Sequence, residues 1–504
     1  MASSLTKDSA DPSAEKTFFG HPRGLATLFM TEMWERFSYY GMRALLVYYL
    51  VSGGADAATG SQGGGLAMTA ATTTAIYSVY VSMVYLMAMP GGWFGDRVWG
   101  ARKTVAIAGF VIMGGHLSLA LPGQAMFFVG LILVAAGSGL LKANISTMVG
   151  HLYEGPEDPR RDGGFTLFYI GINLGAFIAP FIVGTVGKEY NWHLGFALAA
   201  AGMGLGLAQF LLGTKHLSPK SSLVPNPLSP EERKAVITKA VLAAVGIAVF
   251  YGAVVALGFY TLNWALVPLT LAGLIIPIAV LTRIKRDRDL SNTEQSKMTA
   301  YIWFFVAAAV FWMIYDQGGS TLSLFADSKT AGSVFGFGFS ATWYQSLNPL
   351  FVMALAPVFA WLWLWLARKN QEPNTIVKFA MGLVLVGASF FVFIVPMNMA
   401  VDGKVSPMWL VSIYMIQTIG ELCLSPVGLS VTTKMAPQKY ASQMMGVWFL
   451  AVTAGDCTTS LLSIGGVDLN GTGVIALEAT AAVLAGFAIF SYRKKVQSLM
   501  GSVH

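Results

Sequence analysis

Four ionisable side chains stand close together in an otherwise apolar stretch, Thr31-Glu32-Met33-Trp34-Glu35-Arg36-Phe37-Ser38-Tyr39-Tyr40-Gly41-Met42-Arg43. Two carboxylates beside two guanidiniums can form ion pairs, and protonating one carboxylate weakens its pair and changes the local field. On a helix at about 100° per residue, Glu32, Glu35, Arg36, Tyr39, Tyr40 and Arg43 fall within an arc of roughly 140°, with Gly41 opposite and Phe37 and Ser38 elsewhere. Glu32 and Arg36 are i,i+4 neighbours and Glu35 is adjacent to Arg36, so both acids can pair with one cation. The flanking residues predict a membrane-spanning helix. A charge at that depth is tolerated when paired or when it faces a polar cavity. A simple ion-pair staple between helices needs two or three groups. Two tyrosines and an arginine further along the same face point instead to a polar pathway.

The rest of the chain supplies the membrane. Of 504 residues, 55% are hydrophobic and 11% charged, against roughly 25% charged in soluble proteins. Apolar segments predict 14 helices near 24–50, 70–95, 102–121, 124–149, 164–187, 190–213, 234–258, 262–283, 298–325, 341–366, 376–398, 406–431, 440–463 and 471–492. Gly53-Gly54, Gly63-Gly64-Gly65 and Leu121-Pro122-Gly123 are among the turn signals between them. With this alternation, 26 of the 32 Lys and Arg fall on one side, Lys188, Lys329 and Lys404 on the other, and Arg36, Arg43 and Lys142 within the membrane. The positive-inside rule then puts both termini in the cytoplasm. Orientation accounts for the net charge of +7, and no nucleic-acid partner is implied. The first 20 residues hold no apolar signal region, so the first span is expected to serve as the targeting signal. Cys423 and Cys457 fall inside predicted spans, which argues against a disulfide framework.

Segments seven and eight carry no ionisable residue in their apolar cores and are flanked by the longest basic connections. Setting them aside leaves six spans on each side. The expected division is a tail 1–23, a six-helix bundle 24–213, a linker 214–297 with two additional spans, a second six-helix bundle 298–493 and a tail 494–504. Two such bundles around a site near mid-membrane suit alternating access. The class is an all-α polytopic membrane protein.

Further polar residues lie inside predicted spans: Lys142, Asn173, Asp316, Gln317, Asn348, Glu421 and Asp456. The first bundle carries the excess of cations and the second the acids. A cleft between them suits a zwitterion with separated charges, with Tyr39, Tyr40, Tyr85, Trp312 and Trp448 as pocket walls. Asp456 stands beside Gly455, Thr458 and Thr459, where local hydrogen bonding would satisfy it, and His116 reads as a packing residue. The sequon Asn144-Ile145-Ser146 lies within a span and is set aside. Gly91-Gly92-Trp93-Phe94-Gly95-Asp96-Arg97-Val98-Trp99-Gly100-Ala101-Arg102-Lys103 predicts a tight cytoplasmic turn that locks two helices by a charge contact. No paired metal ligands, phosphate loop or nucleophile–base set is present, so neither an enzyme nor a bound cofactor is expected.

Several of these motifs share one resemblance. Residues 91–103 resemble the signature loop of the major facilitator superfamily. The run from Glu32 through Glu35-Arg36-Phe37-Ser38-Tyr39-Tyr40-Gly41 is similar to the ExxERFxYYG motif of proton-coupled oligopeptide transporters (the POT/PTR family, bacterial type). Phe168-Tyr169-Ile170-Gly171-Ile172-Asn173-Leu174-Gly175-Ala176, Gln345-Ser346-Leu347-Asn348-Pro349 and Gly420-Glu421-Leu422-Cys423-Leu424-Ser425-Pro426-Val427-Gly428-Leu429-Ser430 resemble further signatures of that family. The resemblance implies a major facilitator fold and a monomeric symporter in the bacterial inner membrane. It would import di- and tripeptides with protons as the coupling ion, its other partner being the lipid bilayer. It also implies roles. Glu32, Glu35, Arg36 and Asp316 would couple protonation to movement. Arg43 and Lys142 would meet the peptide carboxylate, and Asn173, Asn348 and Glu421 the amino end and backbone. Tyr39, Tyr40, Tyr85, Trp312 and Trp448 would line the pocket. Family members usually carry glutamate where this chain has Asp316, and mammalian members a histidine where Ser78 stands. A carrier of nitrate or other small solutes and a proton-coupled drug exporter are the alternatives within the same fold.

Overall fold

The computed structural model describes residues 17–53, 64–154, 158–401 and 403–501. Its seventeen α-helices are α1 Gly24–Val51, α2 Ala70–Leu86, α3 Ala88–Phe94, α4 Ala101–Leu119, α5 Gln124–Gly150, α6 Arg161–Ala179, α7 Trp192–Gly213, α8 Pro230–Ala256, α9 Asn263–Lys285, α10 Asn292–Tyr315, α11 Thr321–Lys329, α12 Leu347–Arg368, α13 Thr375–Met399, α14 Met408–Met435, α15 Ala441–Ile464, α16 Thr472–Ser491 and α17 Arg493–Met500. A two-stranded hairpin, Ser333–Val334 with Phe337–Gly338, follows α11. Side-chain caps mark some of the starts. Ser229 with Glu232 and Ser291 with Glu294 form capping boxes on α8 and α10, and Asn191 and Asn374 cap α7 and α13.

Twelve helices among the described residues are long and apolar enough to cross a membrane. Two helices at expected span positions, α1 and α4, stand outside that set. Helix α1 has 28 residues and so is about 42 Å long, but its own charges lower its hydropathy. Arg102, Lys103 and His116 do the same for α4. Helix α1 nevertheless packs inside the molecule, with no exposed residue, where the cost of such groups is set by protein neighbours rather than by lipid; α4 keeps Phe110 and Leu117 exposed, as a lipid-facing helix does.

Side-chain size governs how closely the helices meet. A Cβ on Gly175 of α6 would lie 2.2 Å from the Met33 carbonyl oxygen of α1. Further along the same side of α1, Gly41 packs on Val183 of the π turn that continues α6, where a Cβ would come within 2.8 Å. Ser38 Oγ reaches Met203 Sδ and Phe37 packs on Gly202. The polar arc of α1 is thereby turned away from these neighbours. Apolar clusters lie within α1–α7 on one side, and a large one formed chiefly by α10 and α13–α16 lies on the other.

The α8–α9 pair packs differently. Only Val254 of α8 is buried, while Val241, Leu242, Ile247 and Val249 are exposed, as a lipid-facing helix requires. Helix α9 docks on α15 through Thr270 Oγ1 to Ser460 Oγ at 2.8 Å and through Gly273 against Cys457. Cys423 and Cys457 are both free and buried.

The helices depart from the expected segments at three breaks. The span 70–95 is divided at Met87 into α2 and α3 and then winds as a π turn over Gly95–Trp99. The expected 298–325 ends as an α-helix at Tyr315, tightens into a 3-10 turn over Asp316–Gly319 and restarts at Thr321. Two successive glycines weaken helix propagation there. Two π turns extend α6 to Tyr190. The 91–103 turn also differs in its charge contact. Arg97 forms a bidentate pair with Glu232 at the start of α8, both contacts 3.0 Å, rather than locking its two flanking helices. Gly91 and Gly95 instead allow α3 to abut Gly139 and Asn144 of α5.

Placing a side chain between α1 and α6 tests this packing. Gly175→Val is expected to lower stability by about 1–3 kcal/mol, read as an earlier thermal transition in detergent. Gly114→Ala, whose Cβ would meet nothing within 4 Å, is the control and should shift it little.

Candidate functional site

Helix α1 holds two polar centres on one face. In the first, Arg36 Nε lies 2.5 Å from Glu35 Oε2 and 3.2 Å from Glu32 Oε1, and Ser138 of α5 donates to Glu35 Oε1 at 2.9 Å. Glu35 is fully buried, and Glu32 and Arg36 nearly so. Glu32 Oε2 and Arg36 Nη2 are enclosed without a partner. One guanidinium thus serves two acids, and the set carries more acceptor capacity than it satisfies.

Two turns on, Arg43 faces the other half of the molecule. Its Nη2 is 3.1 Å from Asp316 Oδ1 and its Nε donates to Tyr77 OH at 2.5 Å. The guanidinium also lies over the Tyr40 and Tyr77 rings at 5.7 and 5.4 Å. The 3-10 turn after α10 presents Asp316, so the helix break serves the contact. Tyr39 stacks with Tyr80 at 6.2 Å and meets Tyr40 edge-on at 5.1 Å.

Lys142 on α5 has a different environment. Its Nζ lies 3.7 Å from the Tyr85 ring centre and 4.8 Å from that of Phe449, and among the described residues no carboxylate is within ion-pair distance. Opposite in sign is Glu421 on α14. It accepts from Tyr315 OH at 2.5 Å and from Asn348 Nδ2 at 3.0 Å, and Asn348 also donates to Thr418 at 3.1 Å. Only neutral donors hold this acid. Asn173 Nδ2 bonds to the Tyr169 carbonyl of its own helix at 3.0 Å. Trp312 packs on Phe311 and Tyr315 with its indole N–H buried and unpartnered. Trp448 fits into the space left by Gly428, beside Phe379. It sits in the apolar core of its half, 3% exposed.

Some participants escaped the sequence reading. Tyr77, Tyr315 and Phe449 adjoin residues that were singled out, but a tyrosine or phenylalanine in a span carries no mark of its own. Glu478 on α16 is an acid within an apolar run and was findable. It is buried and accepts from Gln317 Nε2 at 3.1 and 3.0 Å. His116 is buried with neither ring nitrogen hydrogen-bonded, not satisfied by a neighbour as expected. Asn144 bonds to the Gly91 and Leu140 carbonyls, both at 2.8 Å, and so joins α5 to α3.

At the end of the molecule distal to both described termini, contacts among the described residues close the two halves on each other. Lys188, after α6, meets Asp327 of α11 at 2.7 Å, and both side chains are buried. Around it Ser340 donates to Glu189 at 2.8 Å, Trp343 Nε1 to Thr185 at 2.8 Å, Ser346 to the Phe177 carbonyl at 2.8 Å and Tyr48 to the Ser323 carbonyl at 3.2 Å. Every one of these contacts joins the first half to the second.

The POT family model matches residues 102–464. A di-/tripeptide transporter of Lactococcus lactis subsp. cremoris is 40% identical over 497 residues, 97% of this chain and 98% of that protein. The chain belongs to the POT family. The uncharacterized transporter YclF of Bacillus subtilis is 46% identical over 442 residues, 87% of each chain. A crystal structure of a POT peptide transporter in complex with sulfate superposes with a TM-score of 0.91 at 44% identity, covering 96% of this chain and 97% of the other. A POT family transporter in complex with 5-aminolevulinic acid gives 0.88 at 34% identity, covering 96% and 98%. The fold is therefore that of the major facilitator superfamily, and the protein is a polytopic membrane transporter. Asp316, on the 3-10 turn, reaches Arg43 from the second half.

The sealed end depends on an ion pair that is costly to break on one side only. Asp327→Asn removes the buried counter-charge of Lys188, a loss of about 3 kcal/mol for the closed arrangement. A cysteine replacing the buried Thr342 should then react faster with a membrane-impermeant maleimide. Unchanged labelling would show that the pair does not hold this end shut.

Proposed function

We propose that the protein is a proton-coupled symporter that imports di- and tripeptides by alternating access. One observation carries the reading: two acids share a buried guanidinium at one end of the polar face of α1, while the other end reaches an acid of the opposite half. Protonation at Glu32 or Glu35 releases part of the hold on Arg36. A peptide carboxylate competing for Arg43 or Lys142 weakens the Arg43–Asp316 bridge between halves. Ligands bias conformations only through such differential contacts. The amino end of the peptide belongs near Glu421 and Asn348, where an acid without a cation awaits one. Asn173 supplies a polar edge to the backbone, and Tyr39, Tyr40, Tyr85 and Trp312 supply apolar walls. Trp448 would act from behind, through Gly428 and Phe379.

We place the protein in a bacterial cytoplasmic membrane with both termini inside, on the basic-residue asymmetry. It acts as a monomer with no cofactor, the proton being the coupling ion. The division into bundles 24–213 and 298–493 with two additional spans between them follows the same asymmetry. The relatives named for di- and tripeptides support the substrate class, as does the cleft's pairing of a cationic wall with an acidic one. The anion carrier is disfavoured by Glu421, which repels nitrate.

Proteoliposomes should accumulate labelled dialanine when an inward proton gradient is imposed, and far less without one. Glu32→Gln and Glu35→Gln should retain peptide counterflow while gradient-driven accumulation falls by about tenfold or more. Lys142→Ala should stop driven uptake. Competition by nitrate, or outward transport in inverted vesicles, would redirect the assignment.

A further inference from the structure

Asp456 on α15 is 2% exposed, and its Oδ2 is enclosed without a hydrogen-bond partner. The neighbouring threonines do not satisfy it. Thr458 bonds to the Ala454 carbonyl at 2.8 Å and Thr459 to the Met313 carbonyl at 3.3 Å. The local hydrogen bonding expected for this acid is therefore absent.

Its position follows from the residues around it. Gly455 abuts Ala309 and Met313 of α10, and Thr459 bonds to the same stretch. Thr453 bonds to the Ser82 carbonyl of α2 at 3.2 Å, and Cys457 Sγ to Ser82 Oγ at 3.3 Å. At about 100° per residue Asp456 points between these two contacts, into the seam between α10 and α2. Arg43 and Asp316 are the charges that bear on it, and Tyr77, which accepts from Arg43, stands in the field of both acids. The second acid shows the same symptom: Asp316 Oδ2 is enclosed without a partner.

The other groups facing this seam are already engaged. From α2 comes Tyr77; α3 sends no ionisable group. Helix α9 contributes Thr270, bonded to Ser460. From α10 come Asp316 and Tyr315, the latter bonded to Glu421. Helix α14 adds Tyr414, which donates to the Gly318 carbonyl at 2.7 Å, and Glu421 itself. On α15 the ionisable neighbour is the Cys457 thiol. Arg43 bears on both Asp456 and Asp316, and Lys142 from α5 bears on Asp316, so with Glu421 two cations face three carboxyls. With all three ionised the set is short of one positive charge in a buried site, and such a deficit is relieved by a proton.

We propose that Asp456 is a second proton-carrying carboxyl of the coupling centre, forming with Asp316 an acid pair that shares one proton and the Arg43 guanidinium. While Arg43 bridges to Asp316, the proton sits on a carboxyl oxygen of Asp456. When a peptide carboxylate draws Arg43 away, the proton can leave that oxygen for one of Asp316, and the negative charge moves the opposite way. This assignment rests on the proton-coupled reading given above.

The test is dialanine transport in proteoliposomes across a series of imposed pH gradients, with Asp456→Asn, Asp456→Glu and the unaltered protein side by side. In Asp456→Asn, gradient-driven accumulation is expected to fall by about tenfold and its pH profile to flatten. Equilibrium exchange should fall much less, and Asp456→Glu should restore driven uptake. A pH profile and accumulation in Asp456→Asn matching the unaltered protein would overturn the proposal. Failure of the unaltered protein to take up dialanine, or to respond to the gradient, would instead overturn the parent reading. Should Asp456→Asn not fold, infrared difference spectra of Asp456→Glu decide. A moved protonated-carboxyl band supports the assignment, and an unmoved one refutes it.

Discussion

A guanidinium on one half of the molecule and a carboxylate on the other, 3.1 Å apart, set the terms on which the halves meet. Arg43 and Asp316 are buried where isolated charges are costly, so each depends on its partner. The surrounding structure serves that contact. Glycines on α6 turn the polar arc of α1 inward, and the break after Tyr315 delivers the acid. Tyr77 fixes the guanidinium from the side. A charge pair that is expensive to separate unassisted becomes separable when a ligand or proton replaces one member, which is the physical requirement of a gated pathway.

The sealed end uses the same interaction for another purpose. Lys188 and Asp327 are also buried and also join the halves. Hydrogen bonds from Ser340, Trp343 and Ser346 and the Tyr48 ring lie around them, whereas the Tyr40 and Tyr77 rings and a second acid lie around Arg43. Each pair leaves one carboxyl oxygen enclosed without a hydrogen-bond partner, Asp327 Oδ2 in the first and Asp316 Oδ2 in the second. What differs is the setting: the first lies among hydrogen bonds that join the halves, and the second faces a further acid.

Much of this was legible in the residues alone. The stripe from Glu32 to Arg43 announced its own geometry, because helical spacing and the cost of charge in a membrane together restrict where such groups can point. The pairing of Glu32 and Glu35 with Arg36 followed from sequence separation. Contacts between distant segments did not. Nothing in the order of residues says that Asp316 faces Arg43, that Arg97 reaches Glu232 or that Lys188 leaves its loop to become buried. Breaks were harder still, since apolar runs read through Met87 and through Gly318-Gly319 as though each were one helix. Tyr315 and Tyr77 stayed hidden because a tyrosine in a span is ordinarily packing, and only a partner atom distinguishes one that is not.

The α8–α9 pair is fastened at both ends to different parts of the molecule. At its foot Arg97 grips Glu232, and the backbone of Asn226 and Leu228 bonds to the Asp96 and Arg97 carbonyls at 3.0 and 3.2 Å. Along its length α9 lies against α15, on the far half. Two bodies that rock against each other while sharing such a strap cannot swing freely. The strap must bend, slide along α15 or let go at the foot. A pair of helices set apart from the polar centres on α1 thereby becomes a mechanical stop on how far such bodies could swing.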